Sequence, residues 1–329
     1  MTLLIWPFAL VAEGFRVATL HAELTRKGPG LLLRDIERGK DKQLAALAQV
    51  VQVLNPDVLL LTKVDFDAGL QTSEALRAFL EYPHMLAYAP NSMQPVALDL
   101  DGDGRKPDRQ VWARYAGEGA MLLLSRYPIS LSFHLNDLLW TDVPDARMPE
   151  YEDKRPFPSE GARDAQKLVG QGFWVVQIDL DDDPPVAMAL FQNQAPVFDG
   201  PEDMNGLRSR AQLGLLSAVM DGEHGPFPKE RFVLLGNTNL DPERGDGDRG
   251  AMARMLHDPR IKDPEPLTDA GGTATAYWDN PGPMRVSYVL PSRDWDILDA
   301  GVFWPNQGPL RDVAEQASRH RLVWVDIRQ

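Results

Sequence analysis

The sequence contains no cysteine, which removes disulfides, zinc–thiolate sites and thiol nucleophiles together. Basic residues are few against acidic ones: 34 Lys and Arg face 48 Asp and Glu, a formal net charge of −14. A protein that neutralises nucleic-acid phosphates non-specifically needs a basic face, so this balance excludes general nucleic-acid binding. It does not exclude a small phosphorylated ligand. No transmembrane segment is expected either. The apolar stretch Leu3–Ala12 has ten residues with no Lys or Arg before it, too short to span a bilayer as a helix. It reads as the end of a secretory signal lacking its basic start, which implies a periplasmic or secreted protein. The alternative is a first strand or apolar arm, which implies a cytoplasmic one. Internal repeats and low-complexity segments are also absent.

What is present is an ordinary globular composition, 43% hydrophobic and 25% charged over 329 residues. That is enough to build a sizeable core in one β-rich sandwich or in two domains. The reading is an apolar segment, 1–14, followed by a single domain over 15–329. Phe15–Leu20 alternates like a strand, and 24–40 reads as a charged connection. In Asp41–Asn55, Leu44, Leu47, Ala48 and Val51 form one apolar stripe, the spacing of a helix that Pro56 stops. Val58–Leu61 is a fully buried strand and Ser73–Glu81 a helix. Residues 90–118 read as loop, Ala120–Leu124 as a strand, and the Pro- and acid-rich 136–170 as a surface excursion. Phe173–Asp179 and Val186–Gln192 form a hairpin. Helices at Leu207–Met220 and Gly250–His257 and strands at Met284–Leu290, Ile297–Phe303 and Arg321–Ile327 complete the chain. This order predicts an α/β fold, a four-layered α/β sandwich of two packed mixed β-sheets flanked by helices.

Arg231–Pro242 (RFVLLGNTNLDP) organises the rest. A buried apolar strand is broken by Gly236 into a polar turn carrying Asn237, Asn239 and Asp241. Scaffolds of this kind commonly deliver chemistry from strand ends. The strand ends near 21, 63, 192, 237 and 319 are expected to meet at one edge.

Seven segments carry a resemblance: VATLHA (17–22), NPDVLLLTKVD (55–65), GAMLLLSRYPI (119–129), FQNQAPVFDGPEDMNG (191–206), GNTNLDP (236–242), RVSYVLPS (285–292) and SRHRLVWVD (318–326). Together they resemble the endonuclease/exonuclease/phosphatase superfamily, with the fold of pancreatic deoxyribonuclease and the sphingomyelinases, and most of all a bacterial, often exported branch. The resemblance implies an Asn and a Glu holding a divalent metal at positions occupied here by His21 and Lys63. It implies a phosphate-contacting His where Gln192 stands, and an Asp-x-Asn pair where Asn237 and Asn239 stand. A metal-binding Asp and a phosphate-binding His correspond to Arg319 and His320, and the carboxylate that orients that His corresponds to Ser287. Glu118 stands where a Tyr is expected. Only Asn239 and His320 match the pattern. Asp199, Glu202 and Asp203 are expected to brace a loop, and Trp304 and Trp324 to fill the core.

Four positions acidic in that family, 63, 237, 287 and 319, carry two positive charges and no negative one here. A unit charge about 4 Å from another is worth roughly 4 kcal/mol at an effective dielectric near 20, and a divalent ion meets about twice that from each cation. Magnesium is therefore not expected. The function that follows is that of a non-catalytic binding or scaffold protein, with a small anion held by Lys63, Asn239, Arg319 and His320 or with a protein partner. The alternatives are a metal-dependent phosphodiesterase or phosphatase using replacement residues, and an exported structural protein whose pocket is closed by pairing of Lys63 and Arg319 with Glu118. If an anion binds, a charged His320 would strengthen affinity as pH falls.

Asp99, Asp101 and Asp103 open a D-x-D-x-D-G pattern typical of calcium loops, but Gln110 stands where the closing Glu belongs. A bound ion would raise the melting temperature by mass action. With Gln110 at the closing position, the expected result is one melting curve in excess chelator and in added calcium. A calcium-dependent rise of several degrees would instead establish the ion.

Overall fold

The computed structural model describes residues 14–144, 146–181 and 183–328; the Leu3–Ala12 segment lies outside the described residues. The chain opens with β1 (Phe15–Leu24), α1 (Leu31–Arg38), α2 (Lys42–Leu54), β2 (Val58–Val64) and α3 (Gln71–Phe79). Next come β3 (His84–Ala87), the short strands β4 (Pro95–Val96) and β5 (Asp108–Arg109), β6 (Ala120–Ser125) and β7 (Ile129–His134). A 3₁₀ turn at Trp140–Asp142 and α4 (Glu160–Ala165) lead into β8 (Gly172–Ile178) and β9 (Val186–Gln192). Then follow α5 (Met204–Met220), β10 (Phe232–Asn237), α6 (Arg249–Leu256), β11 (Ala276–Trp278) and β12 (Gly282–Met284). The last elements are β13 (Ser287–Pro291), β14 (Asp296–Val302), α7 (Pro309–Ala317) and β15 (Val323–Arg328).

Six strands pair in the order β14-β15-β1-β2-β6-β3 and five in the order β13-β10-β9-β8-β7. Each sheet mixes parallel pairs (β1 with β2, β9 with β10) and antiparallel ones. Side chains alternate between sheet faces, and here both faces are buried, so the central strands read as continuous apolar runs. Val58 and Leu60 face the second sheet, where they share a core with Trp174, Met188, Leu190 and Val233. Leu59 and Leu61 point the other way, into a core with Leu32 of α1 and Leu44 and Leu47 of α2. The outer face of the second sheet, including Ala189, Phe191 and Leu234, packs on α5 and α6. Three apolar cores separate four layers, the sandwich expected from the element order.

Local chemistry explains the helix that the sequence marks best. The Asp41 carboxylate accepts the Leu44 N–H at 2.9 Å and so caps α2, satisfying a donor the helix leaves free. Asn55 closes it in the left-handed conformation, φ 48°. Arg16 then ties the C-terminus of α2 to the sheet. It donates twice to Asp326 at 2.6 Å and once to the Leu54 carbonyl at 2.7 Å, with its guanidinium 4.2 Å above the Trp324 ring.

Several expectations need correction. Trp324 and Trp304 pack against the cores but are only half-buried, and each carries a guanidinium, of Arg16 or Arg321, over its ring. The 24–40 connection contains α1, and the helix expected at Ser73–Glu81 runs from Gln71 to Phe79. The 136–170 excursion is anchored in a core: Trp140 is fully buried beside Leu168 and Val169. Gln212 of α5 donates to the Leu168 carbonyl at 2.8 Å and Arg208 to the Gln166 side chain at 2.8 Å. Burial without a carboxylate partner lowers the Arg208 pKa to about 10.

Two glycines test this packing in opposite directions. At Gly236 (φ 157°) a Cβ would collide with the Phe191 backbone of the neighbouring strand, so Gly236→Ala is expected to cost roughly 1–3 kcal/mol. Gly214 is exposed within α5, and a Cβ there meets nothing within 4 Å. Gly214→Ala is expected to stabilise by roughly 0.5–1 kcal/mol. Urea unfolding of both variants measures the two shifts.

Candidate functional site

Ladder register brings the strand ends together. His21 pairs with Thr62 across β1 and β2, Asn237 pairs with Gln192, and Asn237 also pairs with Ser287. The register between β2 and β6 slips between Thr62 and Val64, and Lys63 occupies the slip in the left-handed conformation, φ 62°. Such a bulge frees one residue from the ladder and re-aims its side chain. The Lys63 N–H donates at 3.1 Å to the Gln192 carboxamide of the other sheet. The pattern VLLLTKVD gives no sign of this bulge, because both of its flanks are strand-like.

A chain of hydrogen bonds closes the seam between the sheets. The Asn239 N–H donates to Asn237 Oδ1 at 2.9 Å, which turns Asn237 Nδ2 toward His21 Nδ1, also at 2.9 Å. With an amide donor facing it, His21 Nδ1 must accept, so the neutral ring carries its proton on Nε2. Thr62 Oγ1 lies 2.9 Å from the same nitrogen. Asn237 Nδ2 also reaches Asn239 Oδ1 at 3.2 Å, and Asn239 Nδ2 donates to the Asn193 carbonyl at 2.7 Å. Asn239 adopts φ 56°, a left-handed turn that Asn tolerates better than most residues.

The two histidines meet with their rings tilted. The rings of His21 and His320 lie 4.4 Å apart at 47°, and the Trp278 ring stands at 90° to His320, 5.4 Å away. Trp278 comes from the β11–β12 hairpin, which the sequence reading did not single out. Burial, then Arg319 and Arg321, lower the His320 pKa to about 3. Burial, then His320, Lys63 and Arg319, hold His21 well below its ordinary value. Both rings are therefore neutral near pH 7 in the anion-free protein, so any tightening of an anion through a charged His320 falls below the ordinary histidine range. His320 Nδ1 and Ser287 Oγ are both buried without a partner. Both residues adjoin the same strand end: the Ser287 N–H donates to Thr275 Oγ1, and His320 bridges to Ala276.

Lys63 is half-buried and Arg319 exposed, and among the described residues no carboxylate lies within 4 Å of either side-chain cation. Glu118, the partner expected in the closed-pocket alternative, is held instead by Arg114. It accepts from Arg114 Nη2 at 2.6 Å, Nε at 3.0 Å and the backbone N–H at 2.6 Å. Glu23 accepts the Arg319 backbone N–H at 3.2 Å. The predicted bracing loop holds: Asp199 accepts the Asn205 N–H at 2.5 Å and Glu202 the Gly200 N–H at 3.0 Å. Asp203 instead precedes α5 with no side-chain cap.

At the acidic loop, Asp99 and Asp101 group with Asp108 rather than Asp103, one oxygen of each lying within 4.8 Å of the others. Asp99 spends its oxygens on the N–H groups of Gly102 at 2.7 Å and Gly104 at 2.9 Å. Gln110, at the closing position of the calcium pattern, binds the Ala165 carbonyl and the Lys167 N–H.

The fold and site define a four-layered α/β sandwich with a polar cluster at strand ends contributed by both sheets. The chain belongs to the Endonuclease/Exonuclease/phosphatase family, whose model matches residues 35–320. Among solved structures it is similar to an endonuclease/exonuclease/phosphatase from Beutenbergia cavernae DSM 12333, at 18% identity and TM-score 0.57 over 96% of this chain and 72% of that one. It is also similar to sphingomyelinase C from Streptomyces griseocarneus, at 15% identity and TM-score 0.53 over 96% and 99%. A third is the mannosyl-6-phosphatase Bt3783 of Bacteroides thetaiotaomicron VPI-5482, at 12% identity and TM-score 0.52 over 96% and 100%. At these identities the likeness is one of fold. No curated protein matches the chain. Among the described residues no helix is long and apolar enough to cross a membrane.

The neutral imidazoles have a stability consequence. Unfolded histidines protonate near 6.5 and these folded ones far lower, so the unfolded chain binds more protons in between. Their contribution is whole above pH 6.5 and is lost as pH falls toward 3. The unfolding free energy from urea titration is expected to drop between pH 7 and pH 5, by at most about 1.4 kcal/mol per pH unit for each ring. His320→Gln should flatten that slope, and the His320 ring resonances should not titrate between pH 5 and 8.

Proposed function

We propose that this chain is a non-hydrolytic member of its family that holds a small oxyanion at the strand-end cluster, with Lys63 and Arg319 as the cations and Asn239 and His320 beside them. The observation that carries this reading is the pair of cations without a carboxylate partner, set against two neutral imidazoles. Arg offers a planar fork for two oxygens of one phosphate or sulfate, and Lys adds a mobile point charge. Relatives of the same fold are named a sphingomyelinase C and a mannosyl-6-phosphatase, which makes an oxyanion the natural class of guest.

A divalent metal does not suit these residues. The β toxin of Staphylococcus aureus, a neighbour in fold, was solved with bound magnesium ions. In this chain His21 Nδ1 and both ends of the Asn237 amide are already engaged. Two of the family's four acidic positions, 63 and 319, bear cations and the other two are uncharged, and magnesium requires hard oxygen ligands such as carboxylates. Without a metal, nothing at the site lowers the pKa of an attacking water. The net charge of −14 favours a small anion over a polyanion, which would be repelled on approach.

Calorimetry with sulfate and phosphate at pH 5.5 and 7.5, beside assays of generic phosphodiesters and phosphomonoesters in magnesium and manganese, tests the reading. Sulfate is expected to bind equally at both pH values, because both imidazoles stay neutral. Lys63→Ala and Arg319→Ala should each weaken it at least tenfold, with no turnover under any metal. Metal-dependent hydrolysis abolished by His320→Ala would return the protein to the enzymes of its family. Absence of anion binding at both pH values would make the cluster a plugged site.

A further inference from the structure

A cavity of about 300 Å³ opens beside the strand-end cluster. Its apolar walls include Pro196 and Phe198 from the loop after β9 and Trp278 and Met284 from the β11–β12 hairpin, and its polar lining includes Asn239, Asp241, Arg244 and Asp246. Two of these walls belong also to the polar cluster. Trp278 sets its ring against His320, and Asn239 is bonded to Asn237 and through it to His21. The cavity thus adjoins the polar cluster, whose His21 feels the charge of both Lys63 and Arg319.

The cavity is built rather than left over. Asp241 accepts the N–H groups of Glu243 at 2.7 Å, Arg244 at 2.9 Å and Arg285 at 2.6 Å, which fixes the loop beneath it. Gly247 in that loop approaches Leu240 and Pro196 so closely that a Cβ would collide with them. A Cβ on Gly245 would lie 2.6 Å from the Met284 methyl. At the rim Phe198 is 95% exposed, with φ 69°. An aromatic ring standing almost wholly in water gains by covering itself with an apolar guest.

We propose that this cavity receives the apolar group of a small organic oxyanion, an aryl phosphate, phosphonate or sulfate, whose charged end sits at Lys63 and Arg319. The inference rests on the anion reading above and adds the ligand class to it. Its size lies at the lower end for small-molecule sites and matches one ring rather than a lipid chain. Aromatic side chains at Trp278 and Phe198 with a thioether at Met284 suit an aromatic guest, since ring and sulfur contacts add to simple burial. Arg244 on the cavity wall supplies a further cation, while Asp246 beside it disfavours a second anionic group.

The test compares two probes that cannot be hydrolysed, methylphosphonate and phenylphosphonate, by calorimetry on the full chain. Phenylphosphonate is expected to bind at least tenfold more tightly. Phe198→Ala should remove most of that difference and leave methylphosphonate unchanged, Trp278→Ala should also remove it, and Lys63→Ala should weaken both probes. Phe198 is exposed, so its variant keeps the fold and secures the test if Trp278→Ala does not. Equal affinities that still depend on Lys63 overturn this inference and leave the anion reading standing. A phenyl preference unaffected by Phe198→Ala and by a folded Trp278→Ala places the ring elsewhere and also overturns it. Failure of both probes to bind removes both proposals.

Discussion

The dry contact between the two sheets is the constraint on which the structure depends. Val17, Val58, Leu60 and Met121 of one sheet lie against Trp174, Met188, Leu190 and Val233 of the other. Helices cover the opposite faces, so the central strands are mostly apolar where the sheets meet and leave little room there for chemistry. Functional groups are displaced to the ends of the strands, where the apolar contact stops and water begins. Buried polar groups at that edge must find partners or bear the cost. Most do: Gln192, Asn237 and Thr62 all bond across or along the seam.

The electrostatics of the edge follow from depth. His320 is buried and His21 partly so, and each lies near a fixed cation, so both lose their protons rather than carry charge into a poorly solvated place. Arg319 reaches water and Lys63 partly does, so water rather than a carboxylate solvates each cation. Glu118 would neutralise Lys63 but is engaged three times by Arg114. The result is an edge with two cations that make no side-chain ion pair and two neutral imidazoles, while its carboxylates, Glu23 and Glu118, are engaged by N–H donors. That arrangement favours oxygens of an anion over a metal ion.

Where the sequence was legible, burial on both faces made it so. VLLLTKV, AMLLLS and VAMALFQ are wholly or almost wholly buried strands, and a run of that kind has few alternatives. The elements that escaped notice bury little of themselves. α1 buries only Leu32 and Ile36, and α7 only Ala314 and Ala317. β3 is half-buried throughout, and β7 alternates between half-buried and exposed residues. Their stability comes from docking on neighbours, and their own periodicity is too short or too weak to announce them. The Trp140 excursion was misjudged for a related reason: its Pro- and acid-rich composition describes its surface, while one Trp and two aliphatics provide the anchor.

The same division holds at the site. Residue identities alone established that positions 63 and 319 carry cations and that no carboxylate stands at 237 or 287. The convergence of the strand ends was expected from the element order and shown by the ladder register. These are properties of side-chain type and ladder pattern, which survive any detail of packing. Tertiary structure alone decided that Lys63 sits on a bulge, that Arg114 removes Glu118 from contention, and that Trp278 adjoins His320. It also decided the tautomer of His21, through an amide 216 residues away. Proton placement and ion pairing depend on distances of a few tenths of an ångström between groups remote in sequence, and no local pattern encodes such distances.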